Sequence, residues 1–382
     1  MARDISGFLH MKKATASDSD IAEEWDEIEK LYERKLWHQL TTKLVGFVKH
    51  ESFSSGGLLE LYHGFIADFE TKIKPLSLVD IILAVSKEIT DKEEAIKFIQ
   101  KTEEKVASNQ EAKLMCQTAV TVMQLELSQL PEVKAGIETI GEALDAIDGI
   151  TPVHAVYYDV SSKYYKKCAD HAAYYRDALR YLGCMELDDI PAGEQLERAF
   201  HLSLAALLGE GVYNFGELLA HDILDSLKGT EKQWVVELLF AFNTGDLEKF
   251  ESLRPKWSQQ PDLVDNYNKL SRKIRLLCFM ELIFNRHAHD RTISFSTIAT
   301  AAQVPLPEVE HLVMKALSLG LVRGSIDQVS QEVTMTWVQP RVLDISQVSS
   351  LHNRMEVWCK DIISTVHLVK DEMPELVSQL SS

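Results

Sequence analysis

Residues 274–338 read IRLLCFMELIFNRHAHDRTISFSTIATAAQVPLPEVEHLVMKALSLGLVRGSIDQVSQEVTMTWV, and this stretch decides the fold. It opens on a buried helix pattern: Ile274, Leu277, Cys278, Glu281, Leu282. A short β-prone piece follows at 292–294, then a small helix at 295–302 that turns through Val304 and Pro305. The next helix starts at Pro307 and stops at Gly320. Its apolar positions Val309, Leu312, Val313, Ala316 and Leu317 form the stripe of a half-buried helix. Proline inside the start and glycine past the end are the expected terminators. Two β-like runs close the unit at 321–327 and 332–338, the second alternating Val333, Met335, Trp337 with Thr334, Thr336, Val338. Helix, turn, helix and a two-stranded wing make a winged helix.

A winged helix usually reads DNA, but the charges here oppose that use. The face that would enter the groove carries Glu308, Glu310, His311 and Lys315. Two carboxylates at the helix start meet phosphates and base edges with the wrong sign. The whole chain repeats the argument: 58 acids against 40 Lys and Arg leave a net charge of −18, which disfavours nucleic acid and anionic membranes. Protein–protein contact is the use that remains for this module.

At 382 residues the chain is long enough for two or more domains, or for one elongated array. Five scattered cysteines, with no C-x-x-C pair, read as buried thiols in a reducing compartment. Residues 1–13 carry too short an apolar run, and an acid at Asp4, for a signal peptide. No run of 18 apolar residues marks a membrane span.

Before the wing, almost everything reads as helices of ordinary length joined by short turns. The periodicity predicts helices near 58–73, 91–107, 111–129, 132–148 and 153–168, then one long helix near 263–284. Asn214 is the expected cap of a helix carrying Phe215, Leu218, Leu219, Ile223 and Leu227. Tyr157, Tyr158, Tyr164 and Tyr165 on one helix, with Tyr174, Tyr175, Ala178 and Tyr181 on the next, resemble a tetratricopeptide-type hairpin. Aromatic core packing accounts for these tyrosines better than a ligand-stacking groove. The fold class is therefore mainly α: degenerate tetratricopeptide-like repeats in a solenoid, then the winged helix, then a C-terminal helix. No Pro/Gly/Ser-rich linker separates the helical part from the wing, so the two are expected to form one rigid body.

The run Tyr164-Tyr165-Lys166-Lys167, the run Tyr174-Tyr175-Arg176-Asp177-Ala178-Leu179, then Asn214-Phe215-Gly216-Glu217-Leu218-Leu219 and Gly245-Asp246-Leu247-Glu248-Lys249-Phe250 occur in an order and spacing similar to a PCI domain. Residues 319–327, from Leu319 and Gly320 through Gly324 to Asp327, resemble the strand of its winged helix. The whole chain, with its helical N-terminus and C-terminal helix, resembles a PCI subunit of the proteasome lid. That resemblance implies a non-catalytic scaffold, without cofactor, gathered with other PCI-type lid subunits into a hetero-oligomer in cytoplasm and nucleus. It brings no catalytic residues; Gly320, Gly324 and Asp327 read as turn and strand positions. The expected division is helical repeats over 1–170, a PCI domain over 171–340 (helical to 270, winged helix from 271), and a tail over 341–382. A PCI subunit of the signalosome or of a translation initiation factor is the alternative. A winged-helix transcription regulator is the alternative of another class.

Hydrolytic chemistry is not written here. His287-Ala288-His289 invites comparison with the zinc deubiquitinase motif H-x-H-x7-S-x2-D, but Thr297 and Thr300 stand where serine and aspartate are needed. Nucleotide and serine-hydrolase motifs are likewise missing, so neither metal nor small-molecule substrate is expected.

Two segments are the expected partner surfaces. The strand Val333, Thr334, Met335, Thr336, Trp337, Val338 is expected to offer a sheet edge. The last helix carries Val348, Leu351, Met355, Trp358, Ile362, Val366, Val369 and Met373, at spacings 3, 4, 3, 4, 4, 3, 4. Folding back on its own wing and joining a bundle of partner helices are both open to it. Eight seam residues exceed what a small wing covers, which favours partners.

Overall fold

The computed structural model of the chain describes residues 7, 9, 11, 13, 19–48, 57–286, 291–342 and 345–372. Two compact units, Met1–Asp189 and Ile190–Ser382, divide it.

The first unit is all helix where it is described. Helices α1 (Ser19–Glu33) and α2 (Trp37–Phe47) bury Trp25, Ile28, Leu40 and Leu44. Residues 58–72 are not the single regular helix that the pattern predicts. A short α3 (Leu58–Leu61) widens into a π turn at Tyr62–Ile66 and tightens again through Glu70–Lys72. The start of α3 is capped from a distance: the Glu88 carboxylate accepts from the N–H groups of Gly57, Leu58 and Leu59 at 2.9–3.2 Å.

Helices α4 (Pro75–Ser86), α5 (Lys92–Lys105), α6 (Gln110–Glu126), α7 (Leu130–Asp145), α8 (Pro152–Lys167) and α9 (His171–Cys184) follow. Each packs on its successor, and α6 also touches α8, which is how helical repeats share one core. Small residues admit the aromatics: a Cβ on Gly141 would stand 2.7 Å from the Tyr157 hydroxyl, which donates to Ile137 O at 3.1 Å. Tyr164, Tyr174 and Tyr175 are buried, so the tyrosine set is core. Asp177, also buried, accepts from Ser161 at 2.5 Å and from Arg176 at 3.0 Å.

In the second unit α10 (Ala192–Leu208) buries Leu202, Ala205, Ala206 and Leu207. The helix expected after Asn214 is broken into α11 (Gly216–Leu219) and a 3-10 turn, Asp222–Leu227. Asn214 Oδ1 does accept from Gly216 N, but His221 Nδ1 accepts from Ile223 N and restarts the chain in a new direction. Next come α12 (Trp234–Thr244), α13 (Leu247–Ser252), α14 (Arg254–Trp257), α15 (Pro261–Asp265) and α16 (Tyr267–Phe284). The single long helix predicted over 263–284 is thus two. Asn266 separates them, its side chain donating to Asp262 O at 2.8 Å in competition with the helical ladder.

Helix α16 holds this unit together. Lys273 is only 8% exposed, and its Nζ donates to Ala206 O, Leu207 O and Gly209 O at 2.8–3.0 Å. Those carbonyls end α10, where a cation also meets the negative end of the helix dipole. At Gly245, which closes α12 with φ +66°, an added Cβ would stand 2.4 Å from Cys278 Cα. Only glycine fits that approach. Arg341, past the wing, donates to Glu281 Oε2 at 2.7 Å, Asn243 O at 3.0 Å and Leu277 O at 3.3 Å. Helical part and wing therefore share one framework within this unit.

The wing consists of β1 (Thr292–Ser294), α17 (Phe295–Ala302), α18 (Leu306–Ser318), β2 (Val322–Asp327) and β3 (Glu332–Val338). The sheet is antiparallel with order β1-β3-β2. Gly320 takes φ +69° after α18, and Asp327 accepts from the N–H groups of Val329 and Ser330 at the turn. Ser330 bonds hold the Asp327 carboxyl below its ordinary range. The order corrects one expectation. β3 is the central strand: Glu332–Thr334 pair on both sides and present no free edge, while Met335–Val338 pair with β2 and not with β1. The last helix, α19, spans Ile345–Glu372.

Two outcomes follow from these contacts. Desolvation lowers the Lys273 pKa from the ordinary 10.5 to about 7. Between those values the unfolded chain holds a proton that the folded chain has released, so the Lys273 contribution to stability rises with pH. Lys273→Met should destabilise at pH 7 by on the order of 2–4 kcal/mol through its stranded carbonyls. The gap between parent and variant should widen by pH 9.5 in denaturant titrations; an unchanged gap would contradict the burial penalty. Thr334→Pro, which pairs with both Thr292 and Ser325, should unfold the wing and lower the thermal midpoint rather than act on assembly alone. A normal midpoint would return β3 to the edge.

Candidate functional site

The candidate site is a surface, and α19 carries most of it. Val348, Leu351, Met355, Trp358, Ile362, Val366 and Val369 are all exposed, Trp358 by 65%. Met373 lies outside the described residues. At 3-4 spacing these side chains share one stripe. Val357, Ile363 and Leu368 are exposed as well, off that stripe. Of the two destinations open to this helix, folding back on its own wing is not what is observed. The stripe is exposed along its described length.

The chain past β3 is fixed at Arg341. Arg341 ties the chain to α16 through its bonds to Glu281 and Leu277 O. Burial lowers the guanidinium pKa and the Glu281 carboxylate opposes that shift. Val342 sits where a Cβ on Gly216 would approach within 2.5 Å.

The β3 residues divide by face. Val333 and Met335 are buried in the wing, against α16, and offer nothing to a partner. Thr334 and Thr336 are exposed on the open face, where the Thr334 hydroxyl meets that of Thr292 at 3.2 Å. Trp337 and Val338 are half-buried; Arg323 stacks over the Trp337 ring at 4.8 Å. A bulge between Arg323 and Gly324 sets that register, and Gly324 admits it because a Cβ there would meet Thr334 O at 2.3 Å.

On α18, Glu308 and His311 are exposed and Glu310 accepts from Gln328 at 3.1 Å, so the acidic face predicted from sequence is the outward one. His287 and His289 lie outside the described residues. Thr297 and Thr300 are engaged locally, Thr297 N–H with Ser294 Oγ and the Thr300 hydroxyl with Ser296 O. Among the described residues no three His, Cys, Asp or Glu side chains cluster to hold a metal ion. Burial pushes the Cys116 thiol up to about 12, which suppresses the thiolate that reacts or binds metal. Among the described residues no helix is long and apolar enough to cross a membrane.

Sequence reasoning passed over two residues that set this geometry. Between Leu270 and Leu277, Lys273 is the base that falls on the apolar stripe with Ile274, while Arg272 and Arg275 lie off it, and that position was its available signal. Arg341 gave no local signal, since its partners lie far away in sequence.

Comparison with known proteins matches this arrangement over nearly the whole chain. A family model described as PSD13 N-terminal repeats matches residues 24–239, and the PCI domain model matches residues 247–337. The chain is 40% identical over 385 residues to 26S proteasome non-ATPase regulatory subunit 13 homolog B of Arabidopsis thaliana, covering 98% of this chain and 100% of that protein. It is 38% identical over 378 residues to 26S proteasome non-ATPase regulatory subunit 13 of Dictyostelium discoideum, covering 97% of each. Eukaryotic translation initiation factor 3 subunit M of Neosartorya fischeri is more distant, at 26% over 202 residues, half of this chain and 42% of the other. With identity of this level running end to end, the chain belongs to the family of 26S proteasome non-ATPase regulatory subunit 13.

Proposed function

We propose that this chain is a non-catalytic scaffold of the proteasome regulatory particle lid, supporting ATP- and ubiquitin-dependent protein degradation in cytoplasm and nucleus. It works as helical repeats, a PCI domain and a C-terminal tail, and its partners are other PCI-type subunits in a hetero-oligomer. The observation that carries this reading is α19, which shows an exposed apolar stripe along the helix. The open face of the wing, with Thr334, Thr336 and the Arg323–Trp337 pair, is the second contact; Val333 and Met335 are withdrawn from it. The acidic outward face of α18 supports protein rather than nucleic acid as the partner.

A Met355→Ala, Trp358→Ala, Ile362→Ala triple variant tests the main contact. Each large side chain contributes about 1.5–3 kcal/mol on burial, so the triple change should remove several kcal/mol of assembly. Co-purification of the tagged full-length chain should then recover few proteasome subunits, while the thermal midpoint of the free chain stays put because the side chains are already exposed. Normal recovery with a lowered midpoint would make α19 an internal brace and contradict the proposal.

A further inference from the structure

We infer that the unassembled chain pairs with a second copy of itself through α19, as an antiparallel two-helix coil. The inference rests on the reading that the α19 seam is a contact surface, with the second copy holding the seam until partner subunits displace it.

A strict heptad frame follows the seam but takes Thr365 in place of Val366. Val348, Met355, Ile362 and Val369 take one core position, and Leu351, Trp358 and Thr365 take the other. In an antiparallel pair the two sets face each other. One register sets Val348 opposite the second copy's Thr365, Leu351 opposite its Ile362, and Met355 opposite its Trp358, each twice by symmetry. Thr365 is the polar member, and its hydroxyl donates to Asp361 O within its own helix at 2.7 Å, leaving the methyl for the seam.

Charge selects this register and direction. It brings Arg354 beside the second copy's Asp361, and by symmetry Asp361 beside the second copy's Arg354. Among the described residues neither side chain has an ion-pair partner in its own chain. A parallel pair would instead set Arg354 beside Cys359 and Asp361 beside Val366, with no opposite charges meeting. Direction matters for the rest of the molecule too. An antiparallel pair places the two chains, each carrying −18, at opposite ends of 28-residue helices that are about 42 Å long. A parallel pair brings them side by side. The helix itself opposes pairing little, since Glu356, Asp361, Asp371 and Glu372 are nearly balanced by Arg354, Lys360 and Lys370.

Sedimentation equilibrium of the full-length chain up to about 50 µM, at physiological salt, reads the dimer directly. Arg354→Glu and Asp361→Arg should each raise its Kd about tenfold, because like charges then meet twice. The double variant should return to near the parent value, and circular dichroism should show all four proteins equally helical. A chain that stays monomeric at the top concentration overturns the inference; so does a dimer that the double variant fails to restore. Recovery of proteasome subunits by the triple-alanine variant is a separate readout. If that recovery falls while the parent chain is monomeric, self-pairing alone fails and the assembly proposal stands.

Discussion

A single buried lysine joins the helical stack to the helix that carries the wing within the second unit. Lys273 spends its donors on the last carbonyls of α10, groups that no helix can satisfy from within. Because Lys273 sits on α16, the end of the helical stack is fixed to the helix on which the wing is built. The contacts of Gly245 and Arg341 converge on the same helix, at Cys278 and Glu281. Three kinds of interaction, a buried cation, a glycine-only approach and a partly buried ion pair, therefore bear on one element. Truncating Lys273 or Arg341 strands polar groups and a Cβ on Gly245 would clash with Cys278, so the interface has no easy intermediate arrangement.

This constraint sets what the wing and tail can do. A wing held to α16 presents its open face in a fixed direction, and the chain past the wing is held at Arg341. The apolar stripe of α19 is then displayed rather than buried, which is costly for a lone chain and useful for one that meets partners. A scaffold needs rigid placement of sticky surfaces more than it needs a pocket, and the buried polar groups here serve the placement.

Much of this was legible in the sequence, for reasons that can be located. The bounds 295–302 are met because the periodicity there coincides with a stop, Gln303 taking the αL conformation ahead of Val304 and Pro305. The helices after Asn214 and before Asn266 were misread because local side-chain bonds from His221 and Asn266 cut patterns whose apolar spacing runs on. Sheet order was hidden for a different reason. β1 is three residues long, and nothing in Thr292–Ser294 says that it lies beside β3. For the site, the apolar stripe of α19 was plain, but whether it faces its own wing is a tertiary fact. Lys273 shows the same limit: sequence gives a base in an apolar helix, and only the fold supplies its three acceptors.

The central claim is that helical stack and wing behave as one cooperative body. Native-state hydrogen exchange on the full-length chain tests it most directly, comparing amides of α10 and α12 with those of β2 and β3. The account predicts that both sets open with the same free energy in the parent chain. In Arg341→Ala, which frees Glu281 and the wing's far end, the wing should open alone at lower free energy. Separate opening of the wing in the parent chain, with Arg341→Ala changing nothing, would contradict it.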